Sequence, residues 1–248
     1  LIPYGKQPVH YPCELVGPVQ KLASSTLTTV QGSECLIVEG DSAAKSVDQV
    51  RDGRCQAILA LQGKPLNAAK ASRDAAFRNE VFLRIFETLL GHRTEDARDV
   101  DVLYRKLQNP TACVYDKLVL LMDPDADGIH CSVLMMGFFH QFAPALIAAG
   151  RVIVIRPPMF VFRFTDHSLQ DAAKHPVAST PEHAIAIEQA LRQHGIEHFE
   201  KTRHRGLGSL DSPLLRRTCV DARSRNASCL TLEDAKTAIE MFGGLSQL

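Results

Sequence analysis

The 248 residues suffice for one large or two modest domains, and 45% hydrophobic with 23% charged residues excludes a disordered or fibrous chain. Twenty-eight basic residues balance 28 acidic ones, so overall charge gives no affinity for nucleic acid, and any such affinity must come from local clustering. The seven cysteines (13, 35, 55, 113, 131, 219 and 229) form no CxxC pair, which excludes a zinc ribbon and a full disulfide framework and suits a reducing cytosol.

The chain opens on Leu1 rather than Met, which suits a processed chain or a piece of a longer one, and no secretory signal is visible. Residues 1–32 hold Pro3, Pro8, Pro12, Gly17 and Pro18 before a Ser/Thr-rich stretch, and are expected to form an irregular lead-in. Cys35 to Val38 reads as a short buried strand ending at Glu39-Gly40-Asp41-Ser42-Ala43. Gly40 permits a tight strand-to-helix turn, and Asp41 or Ser42 is the expected helix cap. Ala57 to Leu61 is a second apolar strand, running into Gln62-Gly63-Lys64-Pro65-Leu66-Asn67. There Lys64 and Asn67 offer a cation and an amide to phosphate oxygens. From Ala68 to Gly91 the spacing of Phe77, Val81, Phe82, Ile85, Phe86, Leu89 and Leu90 predicts one core helix stopped by Gly91.

The organising stretch is Lys117 to Gly128. An uninterrupted apolar run ends in Asp123, Asp125 and Asp127 at alternate positions, then Gly128. Such a run suits a parallel strand covered on both faces, and ligands of open α/β sheets gather beyond the carboxyl ends of these strands. Two readings of the aspartates stand: a polar turn with a helix cap, or a site where a hard cation such as Mg²⁺ relieves their repulsion. An EF-hand is excluded, because Leu134 stands at its twelfth position and a strand precedes the loop. If the strands ending at Glu39 and Asp123 are parallel neighbours, their carboxylates converge on one rim.

His130 to Ala149 carries no Lys, Arg, Asp or Glu, but His130, Gly137, His140, Gln141 and Pro144 favour a covered helix over a membrane span. His130 is either a helix-start residue or a neighbour of the acids. Val152 to Ile155 is the next strand, closed by Pro157-Pro158, and the polar stretch 161–200 holds one helix from Pro181 to His194. Between Lys201 and Arg225 seven Lys and Arg residues face only Asp211 and Asp221. That excess either grips phosphates or is a solvated helical face. Arg205-Gly206-Leu207-Gly208 allows close backbone approach to another element or a partner. A last helix is expected from Thr231 to Met241, stopped by Gly243-Gly244.

Five ordered blocks now carry a resemblance: EGDSA at 39–43, QAILALQGKPLN at 56–67, DPDADG at 123–128, RVIVIRPP at 151–158 and RGLG at 205–208. Together they closely resemble the C-terminal half of the B-type subunit of bacterial type IIA DNA topoisomerases, the gyrase B and topoisomerase IV B group. The likeness covers most of 33–160 and again 201–245. It implies a Toprim domain over 33–160, an α/β fold with a mainly parallel sheet flanked by helices. A variable connecting region (161–200) and a smaller helical, basic C-terminal tail region (201–248) would follow.

The resemblance further implies catalytic Glu39, Asp123 and Asp125, with Asp127 beside them as a weaker participant in holding one or two Mg²⁺ ions. Lys64 and Asn67 would contact DNA, as would Arg205 in RGLG; Arg217 is a candidate DNA contact from the basic cluster rather than from the resemblance. The implied activity is Mg²⁺-dependent breakage and rejoining of DNA with a tyrosine-bearing A-type partner, in a heterotetramer, in the bacterial cytoplasm at the nucleoid. ATP would act only through a region that nothing here resembles. Other readings are a non-catalytic DNA-binding or assembly paralogue and a stand-alone Toprim nuclease. The chain departs from the family at Ala44-Lys45, where glycines are usual, and at Pro124. It departs again at Gln62 and Val161, where bases are usual, at Arg205, where lysine is usual, and at Ser209, where glutamate is usual.

Overall fold

The computed structural model describes residues 30–91, 100–164 and 175–245. The lead-in up to residue 29 with Cys13, and 165–174 of the connecting region, lie outside them. In chain order the first elements are β1 (Val30–Glu39), α1 (Gly40–Asp48), β2 (Gln56–Leu61), α2 (Arg73–Arg78), α3 (Glu80–Leu90), α4 (Val100–Leu107) and β3 (Tyr115–Leu121). Then follow α5 (Ala126–Phe142), α6 (Pro144–Ala148), β4 (Val152–Ile155), β5 (Phe160–Phe164), β6 (Val177–Ala178), α7 (Pro181–Gln193) and β7 (Phe199–Arg203). The last are α8 (Ser212–Leu215), β8 (Ala227–Cys229) and α9 (Leu232–Leu245).

The main sheet has the order β2-β1-β3-β4-β8. Its first four strands are parallel, and β8 is antiparallel to β4. Alternation within each strand divides the core. Cys35, Ile37, Leu59, Leu118 and Leu120 face a cluster built with α3 and α5, where Phe77, Phe82, Phe86, Phe138 and Phe142 pack ring to ring. Leu36, Val38, Ile58, Val119 and Leu121 face the opposite layer with α1 and Leu207, Leu214 and Leu215. Burial on both faces is what an apolar run without polar alternation demands. β5 lies between β6 and β7 in a small antiparallel sheet, and Val161 on β5 is fully buried in the second cluster.

Several boundaries differ from expectation, each for a local reason. β1 begins at Val30, inside the expected lead-in, so the Ser/Thr-rich stretch gives way to strand before residue 32. The helix expected over 68–91 is two helices. Ser72 accepts a hydrogen bond from Ala75 N to start α2, and Asn79, extended at φ −78° and ψ 122°, accepts one from Phe82 N to start α3. Gly91 ends α3 in the left-handed region, as expected. α1 begins at Gly40, with neither Asp41 nor Ser42 as its cap. α5 begins at Ala126, four residues ahead of His130, and α9 continues through Gly243 and Gly244 to Leu245. Among the described residues no helix is long and apolar enough to cross a membrane.

Two polar staples hold the layers. Arg151, 8% exposed, donates to the carbonyls of Pro110, Cys113, Tyr115 and Asp116. Midway along β1, Arg225 forms two hydrogen bonds with Glu34, which also accepts from Gln56. This ties the expected C-terminal tail to the main sheet, alongside β8 and the packing of α9 on α5.

Candidate metal centre

The site begins with register. In the parallel pairing of β1 and β3, Val38 lies opposite Leu121, so Glu39 leaves the sheet beside Met122 and Asp123 follows one step on. On its other side Glu39 is paired with Leu61, the last residue of β2. Three strand ends with their turns therefore meet at one rim, with Glu39 in the middle.

The register brings Glu39 and Asp123 to one rim, and the charges there act on one another. Burial pushes the Glu39 carboxyl above its ordinary range, and Asp123, Asp125 and Asp127 push it the same way, opposed by Lys64. Glu39 Oε2 is buried and has no hydrogen-bond partner among the described residues. Asp123 is raised by burial and by Asp125, and is pulled back by a hydrogen bond from Leu207 N to its Oδ1 at 2.9 Å. An unpartnered buried carboxylate oxygen in a field of like charges is what a hard cation relieves.

The loop geometry is imposed by close approach. Asp125 Oδ1 accepts from Gly128 N at 2.9 Å and caps α5, as the polar-turn reading expects, and its charge also acts on Glu39 and Asp123. A Cβ at Gly128 would stand 2.1 Å from the Asp123 carbonyl oxygen, a clash with backbone that no rotamer relieves. At Gly206 a Cβ would stand 3.2 Å from Asp123 Oδ2, and at Gly208 3.3 Å from Ser46 Oγ. The two glycines of RGLG thus lay that segment over Asp123 and α1. Ser209 Oγ donates to Gly206 O and meets His204 Nδ1 at 3.0 Å, closing the turn from below.

Around this centre the remaining residues divide. Asp127 Oδ1 accepts from Lys64 Nζ at 2.7 Å, and the pair holds Asp127 below its usual carboxyl range, with His130 adding to that. Cys131 lies beneath, its thiol pushed up to about 12 by burial and by the Glu39 charge. Gln62 Nε2 donates to both carboxylate oxygens of Asp41, an arrangement that its place in the chain did not announce. Asn67 uses Oδ1 to close its own turn, accepting from Ala69 N. Arg205 is exposed next to Gly206. Arg217 is not brought to the acids by its hydrogen bond, since its guanidinium donates to the carbonyl of His175. In the same basic segment Arg223 and Arg225 pair with Asp221 and Glu34.

Among the described residues no three His, Cys, Asp or Glu side chains stand close enough together to form a metal-ligating group. Mg²⁺ does not need one. It commonly takes one or two carboxylates and completes its shell with water and substrate phosphate. Glu39 and Asp123, with an orphaned oxygen and raised carboxyls, fit that mode.

The profile described as Toprim domain matches residues 34–157. The DNA gyrase B protein of Treponema pallidum (strain Nichols) is 32% identical over 225 residues, 91% of this chain and 32% of that protein. Its counterpart in Mycoplasmoides gallisepticum is 30% identical over 222 residues (90% and 31%), and that of Thermus thermophilus 31% over 225 (90% and 32%). The chain therefore spans about a third of the length of the curated relatives it matches.

Proposed function

The chain belongs to the Toprim family, and from that premise we propose that it is the metal-binding DNA breakage and rejoining module of a bacterial type II topoisomerase. The observation that carries this reading is the unpartnered Oε2 of Glu39, buried at the rim it shares with Asp123 and Asp125. Similarity to the gyrase B proteins over nine-tenths of the chain supports the same reading.

Glu39 and Asp123 would hold Mg²⁺, with Asp125 at the edge of a second position and Asp127 as a weaker participant. When bound, the ion supplies positive charge to the phosphoryl oxygens and the leaving 3′-oxygen. The nucleophile is a tyrosine of an A-type partner. Its oxygen bonds to phosphorus as the bond to the 3′-oxygen breaks, leaving a 5′-phosphotyrosyl link. Glu39, at the rim beside Asp123, would return a proton to that 3′-oxygen. Resealing runs the same steps backwards, because both ends stay attached.

Lys64 and Arg205, exposed on either side of the acids, would meet backbone phosphates. Asn67 would offer its amide, and Arg217 would act on more distant phosphates. The full assembly would be a heterotetramer in the bacterial cytoplasm, with ATP acting through a region other than these residues.

The test is a mixture of this chain with a type IIA A-type partner, supercoiled DNA and Mg²⁺, stopped with detergent. Protein-linked linear DNA is expected, abolished by Asp123→Ala and strongly reduced by Glu39→Gln. Cleavage without the A-type partner would instead identify a nuclease. DNA binding with no metal-dependent cleavage would identify an assembly role.

A further inference from the structure

Lys64 and Asp127 are joined at 2.7 Å, although neither is held by burial, their side chains being 52% and 67% exposed. Their positions give the contact its meaning. Lys64 follows β2, Asp127 opens the helix after β3, and β1 runs between those strands with Glu39 at its end. The ion pair therefore bridges the strand on which the orphaned carboxylate sits.

Resting on the metal reading above, we propose that Lys64 is the resident counter-ion of the acidic rim, parked across Glu39 by Asp127. A divalent cation entering the rim would displace it toward an incoming phosphate.

Several physical points carry this. Several carboxylates on one rim need positive charge in either state, and Lys64 is the cation whose charge opposes theirs at Glu39 as well as at Asp127. An exposed ion pair is weakly held, so little opposes its exchange. Lysine is a compact charge on four flexible methylenes, able to swing from a carboxylate to a phosphate without moving the backbone. A divalent ion and an ammonium cannot share the rim without repulsion, so each loosens the other. By linkage, capture of Lys64 by phosphate then favours the metal, as the metal favours release of Lys64 to phosphate.

The experiment is calorimetric titration of the full chain with Mn²⁺ alone, without DNA, for the wild type, Lys64→Met, Lys64→Arg and the remote, exposed Lys236→Met. Lys64→Met is expected to bind Mn²⁺ about three- to tenfold more tightly than the wild type. The charge-preserving Lys64→Arg and the control Lys236→Met should stay within about twofold of it, with thermal unfolding in EDTA verifying that all four chains fold. If the wild type binds Mn²⁺ and Lys64→Met binds it no better, the counter-ion role is overturned while the metal reading stands. If the wild type takes up no Mn²⁺, the metal reading fails and this inference fails with it.

Discussion

At the scale of single residues the site is a balance between burial and repulsion, and the balance has a sign. Glu39 and Asp123 have carboxyls raised above their unfolded values, so the native state holds protons that the unfolded chain has already released. Stability from these groups is present below the ordinary carboxylate range and is lost as pH rises through their folded values. Without metal, Glu39→Gln should therefore raise the melting temperature near neutral pH by roughly 1–3 °C, discounted for partial exposure, and should give no gain near pH 4. Unfolding scans in EDTA at the two pH values check this. A lower melting temperature for the variant at neutral pH would contradict it. The glycines give a second prediction. Gly128→Ala meets backbone at 2.1 Å and should destabilise the fold by about 2 kcal/mol or more. Gly206→Ala meets only the far end of the Asp123 side chain at 3.2 Å, so it should leave the melting temperature nearly unchanged while weakening Mn²⁺ binding. Equal effects of both on stability would show that RGLG merely packs.

At the scale of elements, the parallel strands were legible and their additions were not. Cys35 to Val38, Ala57 to Leu61, Leu118 to Leu121 and Val152 to Ile155 are apolar runs with no alternative home, and each is a strand of the main sheet. β8 is three exposed residues, Ala227–Cys229, with no pattern to announce it. β5 was hidden behind Pro157-Pro158, where Val161 looked like a lost base and proves to be core. The break at Asn79 was hidden by phenylalanines whose spacing continues through it, although Asn before an apolar run is itself a capping signal. Arg151 lay in a motif of the resemblance, yet its use of four carbonyls depends on the stretch from Pro110 to Asp116, which only the fold brings to it. Arg151→Met would remove the guanidinium donors from these carbonyls, of which Pro110 O keeps Cys113 N and Tyr115 O keeps the Cys113 thiol, at a cost of about 1–3 kcal/mol read by urea denaturation. A loss below the error of that measurement would mean that the carbonyls are satisfied in another way.

At the scale of the whole molecule, the acids and the basic segment separate what could be read from what could not. Glu39, Asp123 and Asp125 were legible as neighbours because two strand ends imply one rim in a parallel sheet. The fate of the basic segment was not, since its excess charge said nothing of pairing. Arg223 pairs with Asp221 two residues away, whereas Arg225 reaches Glu34 across 191 positions. This pair ties the C-terminal segment to the sheet, with side chains 5% and 10% exposed. Arg225→Met would strand the Glu34 carboxylate at a cost of about 3–5 kcal/mol, and Glu34→Gln in the same chain should recover part of it. Failure of the second change to recover any stability would remove the pair from the account. The central claim is that Glu39 and Asp123 hold one divalent ion between them. Its most direct test is a double-mutant cycle of Mn²⁺ affinity with Glu39→Gln, Asp123→Asn and both together. The account predicts that each single change weakens binding about tenfold or more and that the double change costs clearly less than the product of the two. Independent, multiplying losses, or a single change without effect, would contradict a shared ion.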